Sequence, residues 1–221
     1  MVLLANYIII FYLDLRFMTV TYILMIGAVL FALSSLYFYI SSPSKLNSAL
    51  LVSMTTLTSY VLMIQGEYAI GDLSEAHHWT RWAFYGLSCS LLAYEITRQL
   101  DFELPKQIKN IFLTALVMLT GVLSSVSVDQ YKILFFVISC AAFGVFLYDI
   151  FSSKSKALKR IAPYIVLGWS GFPVVFLLSS EGLGILTGSI SLAFYLLLDL
   201  YTKVFFYIQY YATGKSKSTK K

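Results

Sequence analysis

Asp199 and Lys203 lie one helical turn apart in the run Leu198-Asp199-Leu200-Tyr201-Thr202-Lys203-Val204, on the last of a series of long apolar stretches. A charged side chain at bilayer depth costs several kcal/mol, so in a membrane segment an ionisable pair is by default a working site. At ~4 Å and an effective dielectric of ~20 the two charges attract by about 4 kcal/mol, enough to hold the amine protonated. A lysine in an apolar cavity is also the usual anchor for a carbonyl compound, through a Schiff base whose iminium needs a counterion. Asp199 stands where that counterion is needed. The plain alternative is a structural ion pair locking two turns. Arg81 and Glu95 add two ionisable groups away from the predicted membrane edges, and four such groups aligned across the bilayer favour a working site.

Arg81 and Glu95 share the third apolar stretch, and a helix places Glu95, fourteen residues on, about 21 Å further through the membrane. Phe84, Ser88 and Glu95 project within a narrow sector, because eleven residues make almost a whole number of turns. They face one corridor. Tyr85 on the same stretch, and Trp169, Phe172 and Phe176 at spacings of three and four on the sixth, suit a long, flat, conjugated ligand. Pro173 is expected to kink the sixth helix beside them. Without the lysine, core packing would be the better account of this aromatic stripe.

The elements that must position these residues follow from composition. The 221 residues are 59% apolar and only 12% charged, with a mean hydropathy of +0.79, which marks a membrane protein. Stretches long enough to cross ~30 Å of hydrocarbon fall at 19–41, 46–66, 79–100, 107–127, 130–152, 160–180 and 183–210. The expected fold is an all-α seven-transmembrane-helix bundle, residues 19–210, in the cell membrane as a multi-pass protein. The joints are short and carry Ser42-Pro43-Ser44-Lys45, Asp101 to Pro105, Ser152 to Lys156 and Glu181-Gly182, so no second domain fits.

Lys45, Arg98, Lys106, Lys109, Lys154, Lys156, Lys159, Arg160 and the tail lysines fall on one side, against Arg16 and Lys132 on the other. The positive-inside rule then puts the amino terminus outside and the carboxyl terminus in the cytoplasm. The net charge of +5 is a topology signal and implies no nucleic-acid partner. The basic cytoplasmic tail, 211–221, reads as polar chain near anionic lipid. Residues 1–18 form an N-terminal extension with three readings: a short interfacial helix, a leader-like segment, or the product of an upstream start with Met18 the true beginning. Asp14 and Arg16 interrupt its apolar run. Cys89 and Cys140 both fall inside spans and read as small buried apolar residues. His77-His78 are adjacent at a helix start with no partner at metal-ligand spacing, so no metal site is expected.

Asp-x-x-x-Lys ending the seventh helix, Arg81-Trp-Ala opening the third, and Trp169-Ser-Gly-Phe-Pro173 in the sixth resemble, in order and spacing, the microbial (type 1) rhodopsins over about residues 19–210. The resemblance implies all-trans retinal bound covalently to Lys203 as a protonated Schiff base, with Asp199 its counterion and Tyr85, Cys89, Trp169, Phe172, Pro173 and Phe176 around it. It also implies a homo-oligomer, commonly a trimer. The three positions from which this family's function is usually read are Phe84, Ser88 and Glu95, and a Phe-Ser-Glu set followed by Cys89 resembles the schizorhodopsins, light-driven inward proton pumps. Phe84 stands where outward pumps carry a carboxylate, and it accepts no proton.

The implied activity is inward proton transport. Light turns the Schiff base N–H away from Asp199, the proton leaves towards the cytoplasm with Glu95 either its transient acceptor or a fixed negative charge, and a proton returns from outside past Arg81 and Asp199. Ser88 and Cys89 are expected near the chromophore, where the thiol is placed to hydrogen-bond weakly with Asp199, or else serve as small packing residues. The alternative is a photosensory rhodopsin that signals without net transport. A chloride pump is disfavoured because Phe84 offers a halide no donor.

Overall fold

Each apolar stretch becomes a helix, and the short joints make successive helices antiparallel neighbours. The computed structural model describes the backbone of residues 2–41, 47–66, 69–70 and 77–210. The helices are α1 (Val2–Ser41), α2 (Ser48–Gln65), α3 (Trp79–Gln99), α4 (Leu104–Val126), α5 (Asp129–Phe151), α6 (Leu158–Leu178) and α7 (Gly188–Tyr210). Between α2 and α3, β1 (Ala69–Ile70) pairs antiparallel with β2 (His77–His78). The predicted joint at Ser42 to Lys45 and the basic tail 211–221 lie outside the described residues.

Several ends differ from the sequence expectation. The backbone of residues 2–18 continues the first span as one helix instead of stopping at Asp14 and Arg16. Pro105 sits in the first turn of α4, where its missing N–H costs nothing, so the helix opens at Leu104 and not at residue 107. α7 opens at Gly188 and not at 183. The chain before it is spent on turns in which the Gly184 N–H reaches Ser179 O at 2.8 Å and the Leu186 N–H reaches Leu178 O at 2.7 Å, with Gly184 left-handed at φ 68°.

The largest departure is inside α6 and α7. Tyr164–Trp169 and Leu200–Phe205 are wound as π-helix, the Ser170 N–H bonding back five residues to Ile165 O at 3.0 Å. Pro173 carries no N–H for the carbonyl four residues earlier, that of Trp169, so the expected kink takes the form of this widened stretch just before the proline. The two π stretches face each other: a methyl group on Gly168 would overlap Thr202 Cγ2. Glycine is what permits the contact.

Six of the helices are long and apolar enough to cross a membrane, and α3 is interrupted by Arg81, Glu95 and Arg98. The outward faces are apolar, with Leu33, Phe112 and Leu167 exposed, while the interior holds Ser53, Ser88, Glu95, Asp199 and Lys203. This is an inside-out pattern for water and the ordinary one for lipid. Interior hydroxyls are satisfied within their own helices, as Ser35 donates to Phe31 O at 2.8 Å and Thr97 to Ala93 O at 2.8 Å. A large core joins α1, α2, α3, α6 and α7 through Phe31, Phe38, Tyr60, Ile96 and Tyr207. A smaller aromatic core, Trp82, Tyr85, Cys89, Phe172, Phe176 and Tyr195, surrounds the site.

Candidate functional site

Lys203 and Asp199 are fully buried at the middle of α7, and Lys203 Nζ lies 2.8 Å from Asp199 Oδ1. The contact is Coulombic: the atoms are close, but neither meets the angular requirement of a directed hydrogen bond. The other carboxylate oxygen is held by two phenols, Tyr85 donating to Oδ2 at 2.7 Å and Tyr60 of α2 at 3.1 Å. The ammonium also lies 3.7 Å from the centroid of the Tyr85 ring, a cation–π contact in a desolvated place. Asp199 thus keeps one oxygen for the amine and has the other neutralised by donors, which favours its ionised form.

Tyr85 differs from its expected place. It stands between the amine and the carboxylate and is absent from the wall of the neighbouring cleft. Tyr60 gave no sequence signal. It is set by packing, stacked on Phe31 with ring centroids 5.7 Å apart, and a methyl group on Gly27 of α1 would overlap its ring.

Beside the pair, α3, α4, α5 and α6 enclose a cleft of about 690 Å3 measured to its open mouth. Trp82 and Cys89 form one side and Trp169, Phe172, Pro173 and Phe176 another, with Met118, Gly121 and Phe136 between them. Trp82 meets Tyr85 and Phe176 edge to face at 5.8 and 5.4 Å, and Phe136 stacks on Phe176 at 5.5 Å. A Cβ on Gly121 would come within 3.4 Å of the Trp82 ring, so the glycine lets α4 approach that wall. Cys89 lines this cleft, and among the described residues its thiol makes no hydrogen bond to Asp199, whose free oxygen is taken by the phenols. Cys140 also lines it and is exposed on α5, a correction to its expected burial.

The corridor on α3 is only partly in register. Ser88 and Glu95 are buried, but Phe84 is half-buried. Arg81 is 4% exposed and makes no ion pair with Asp199; its guanidinium stacks on Tyr195 at 4.5 Å and donates to Met63 Sδ at 3.6 Å. Glu95 lies at the other end, where Arg98 pairs with it at 2.7 Å and the Ser48 hydroxyl donates to it at 3.2 Å. The Arg98 spacing of i+3 is readable from sequence, yet this residue counts there only as a topology charge. Two carboxylates carried little sequence signal. Glu181 is buried in the α6–α7 turn, and Asp149, expected at a water interface, is buried against Lys109 at 2.8 Å and Asn110 at 3.2 Å.

A seven-helix membrane bundle with a buried lysine–carboxylate pair opening on a flat aromatic cleft defines a class, the retinal-binding membrane proteins. The Bacteriorhodopsin-like protein family matches residues 13–213, and the chain belongs to that family. Bacteriorhodopsin of Halobacterium salinarum is 26% identical over 208 residues, 83% of this chain and 79% of that protein. The crystal structure of schizorhodopsin 4 superposes with a TM-score of 0.81 at 35% identity, covering 87% of this chain and 98% of that one. The bromide-bound form of halorhodopsin from Halobacterium salinarum shares the fold, with a TM-score of 0.83 at 18% identity over 90% of this chain and 95% of its own. The protein is therefore a multi-pass type 1 rhodopsin close to the schizorhodopsins, with the fold of the light-driven ion pumps. The family implies a retinal chromophore, and the apolar cleft, its flat aromatic walls and the adjoining amine fit one. Its volume lies in the ~300–1,000 Å3 range of ligand sites.

Proposed function

We propose that the chain is a light-driven inward proton pump carrying all-trans retinal as a protonated Schiff base on Lys203. The observation that carries the direction is the unequal supply of carboxylates on α3: Phe84 stands one turn beyond Arg81, whereas Glu95 is a buried anion at the opposite end. When bound, retinal supplies light absorption and an isomerisation that re-aims the nitrogen on Lys203. The chain's own residues do the rest. Asp199, with Tyr60 and Tyr85 on its second oxygen, holds positive charge at Lys203 and resists protonation itself. Phe84 offers no acceptor on the Arg81 side, and Glu95 draws positive charge towards the other end.

The basic residues Arg98, Lys106, Lys109, Lys154, Lys156, Lys159 and Arg160 cluster at the Glu95 end, which supports placing that end in the cytoplasm. Movement towards Glu95 is then inward. Resupply comes from the Arg81 end, where Arg81 and Asp199 flank the route. The resemblance to schizorhodopsin 4, a title that names its class, is the supporting comparison.

The test is illumination of intact cells expressing the chain with retinal and no added buffer. The medium turns alkaline, and a protonophore abolishes the change. Acidification of the medium would overturn the direction, an unchanged pH would favour a sensor, and a halide-dependent signal insensitive to the protonophore would identify an anion pump.

A further inference from the structure

Glu95 is buried to 2% of its side chain but its partner Arg98 is 50% exposed. The same Arg98 Nη2 that contacts Glu95 Oε1 at 2.7 Å also donates to Tyr210 Oη at 3.0 Å, at the last turn of α7. The other carboxylate oxygen accepts from Ser48, the first residue of α2. One carboxylate is therefore gripped from three helices, and its guanidinium partner lies between it and solvent. We propose that Arg98 is a positioning residue for the proton exit: pinned between Glu95 and Tyr210, it holds Glu95 as a fixed anion and ties α3 to α7 across the mouth of the route.

The inference rests on the inward reading but concerns the dark protein as well. A buried carboxylate tolerates its charge only with a partner and satisfied lone pairs. Among the described residues the groups facing Glu95 are Ser48 from α2, Arg98 from its own helix and Tyr210 from α7, with Arg160 of α6 bordering the cleft beside Tyr210. Only Arg98 forms an ion pair with it. Removing the guanidinium leaves a buried anion beside two hydroxyls, and such a group takes up a proton. A neutral Glu95 no longer draws positive charge, so transport falls to the rate of the Glu95→Gln variant. Lysine at position 98 restores the charge, though with one point contact in place of a planar fork.

The experiment uses the full chain in liposomes with retinal, visible colour reporting the fold, as wild type, Arg98→Ala, Arg98→Lys and Arg98→Ala/Glu95→Gln. Dark infrared spectra are taken between about pH 5 and 8, the range over which buried carboxyls titrate. The expected result is a carboxylic-acid C=O band in Arg98→Ala that grows as pH falls and is missing from the double variant, the wild type and Arg98→Lys. Inward transport by Arg98→Ala falls with that band to the Glu95→Gln rate. Should Arg98→Ala fail to colour, Arg98→Gln is read in the same way. An Arg98→Ala protein with no Glu95-dependent band and wild-type transport overturns the proposal, as does a band that survives Glu95→Gln. A band that follows Arg98 in a protein that pumps outward or not at all keeps the clamp and sinks the inward reading.

Discussion

Replacing Gly27 by alanine tests how the counterion is held, from a helix that touches neither Asp199 nor Lys203. The new methyl group would overlap the Tyr60 ring, whose hydroxyl donates to Asp199 Oδ2 at 3.1 Å. Relieving the overlap means moving the ring, and Tyr60 is 1% exposed, stacked on Phe31, with no free space beside it. Overpacking of this kind costs about 1–3 kcal/mol, and loss of a hydrogen bond to a charged group about 1.5–3 kcal/mol. Alanine improves helix propensity over glycine by about 1 kcal/mol, which offsets only part of this. The net expectation is a destabilisation of about 1.5–5 kcal/mol. The assay is denaturant unfolding followed by loss of visible colour, with Tyr60→Phe as the partner variant. Tyr60→Phe alone removes the hydrogen bond, so the double variant is less unstable than the two single costs added, by about the value of that bond. Both single variants also shift the absorption band in the same direction, since each leaves Oδ2 with one donor. A Gly27→Ala protein within ~0.5 kcal/mol of wild type, and additive with Tyr60→Phe, would refute the reasoning.

Three further outcomes follow from the site. Lys203→Ala removes all colour on addition of retinal, and a pigment that still forms covalently would place the attachment elsewhere. Glu95→Gln lowers inward transport by about tenfold or more, the scale expected for one charge worth ~1.4 kcal/mol or more along the route; an unchanged initial rate would show that the anion is dispensable. Phe84→Asp installs an acceptor on the Arg81 side and slows or reverses the light-driven pH change. Wild-type direction and wild-type photocycle together would show that position 84 has no say in it.

Lys203 and Asp199 were readable because charge inside an apolar run is rare and costly, so two such residues one turn apart stand out. The helix count was readable for the same reason of contrast. Tyr60 was not, since seventeen tyrosines share one composition and only tertiary packing brings one of them to Asp199. Arg98 was visible by spacing but looked like one of many edge charges, and its bond to Tyr210 joins residues 112 apart. Cys140 shows another limit: in lipid an exposed position reads as apolar as a buried one, so hydropathy did not tell them apart. The paired π stretches had no local signature beyond Pro173, because the register of backbone hydrogen bonds is settled by neighbours.

Those stretches also limit how the chain tolerates change in length. Each holds a residue more than an α-coil would need for the same rise, so excising one amino acid from Leu200–Phe205 would rotate everything downstream by about 100° about the axis. Tyr210 would swing away from Arg98, and the amine away from its carboxylate if the excision fell ahead of it. Because Gly168 and Thr202 interlock, neither coil can be tightened by itself. Insertions and deletions in this region should therefore survive only as compensating pairs, one in each of the last two helices.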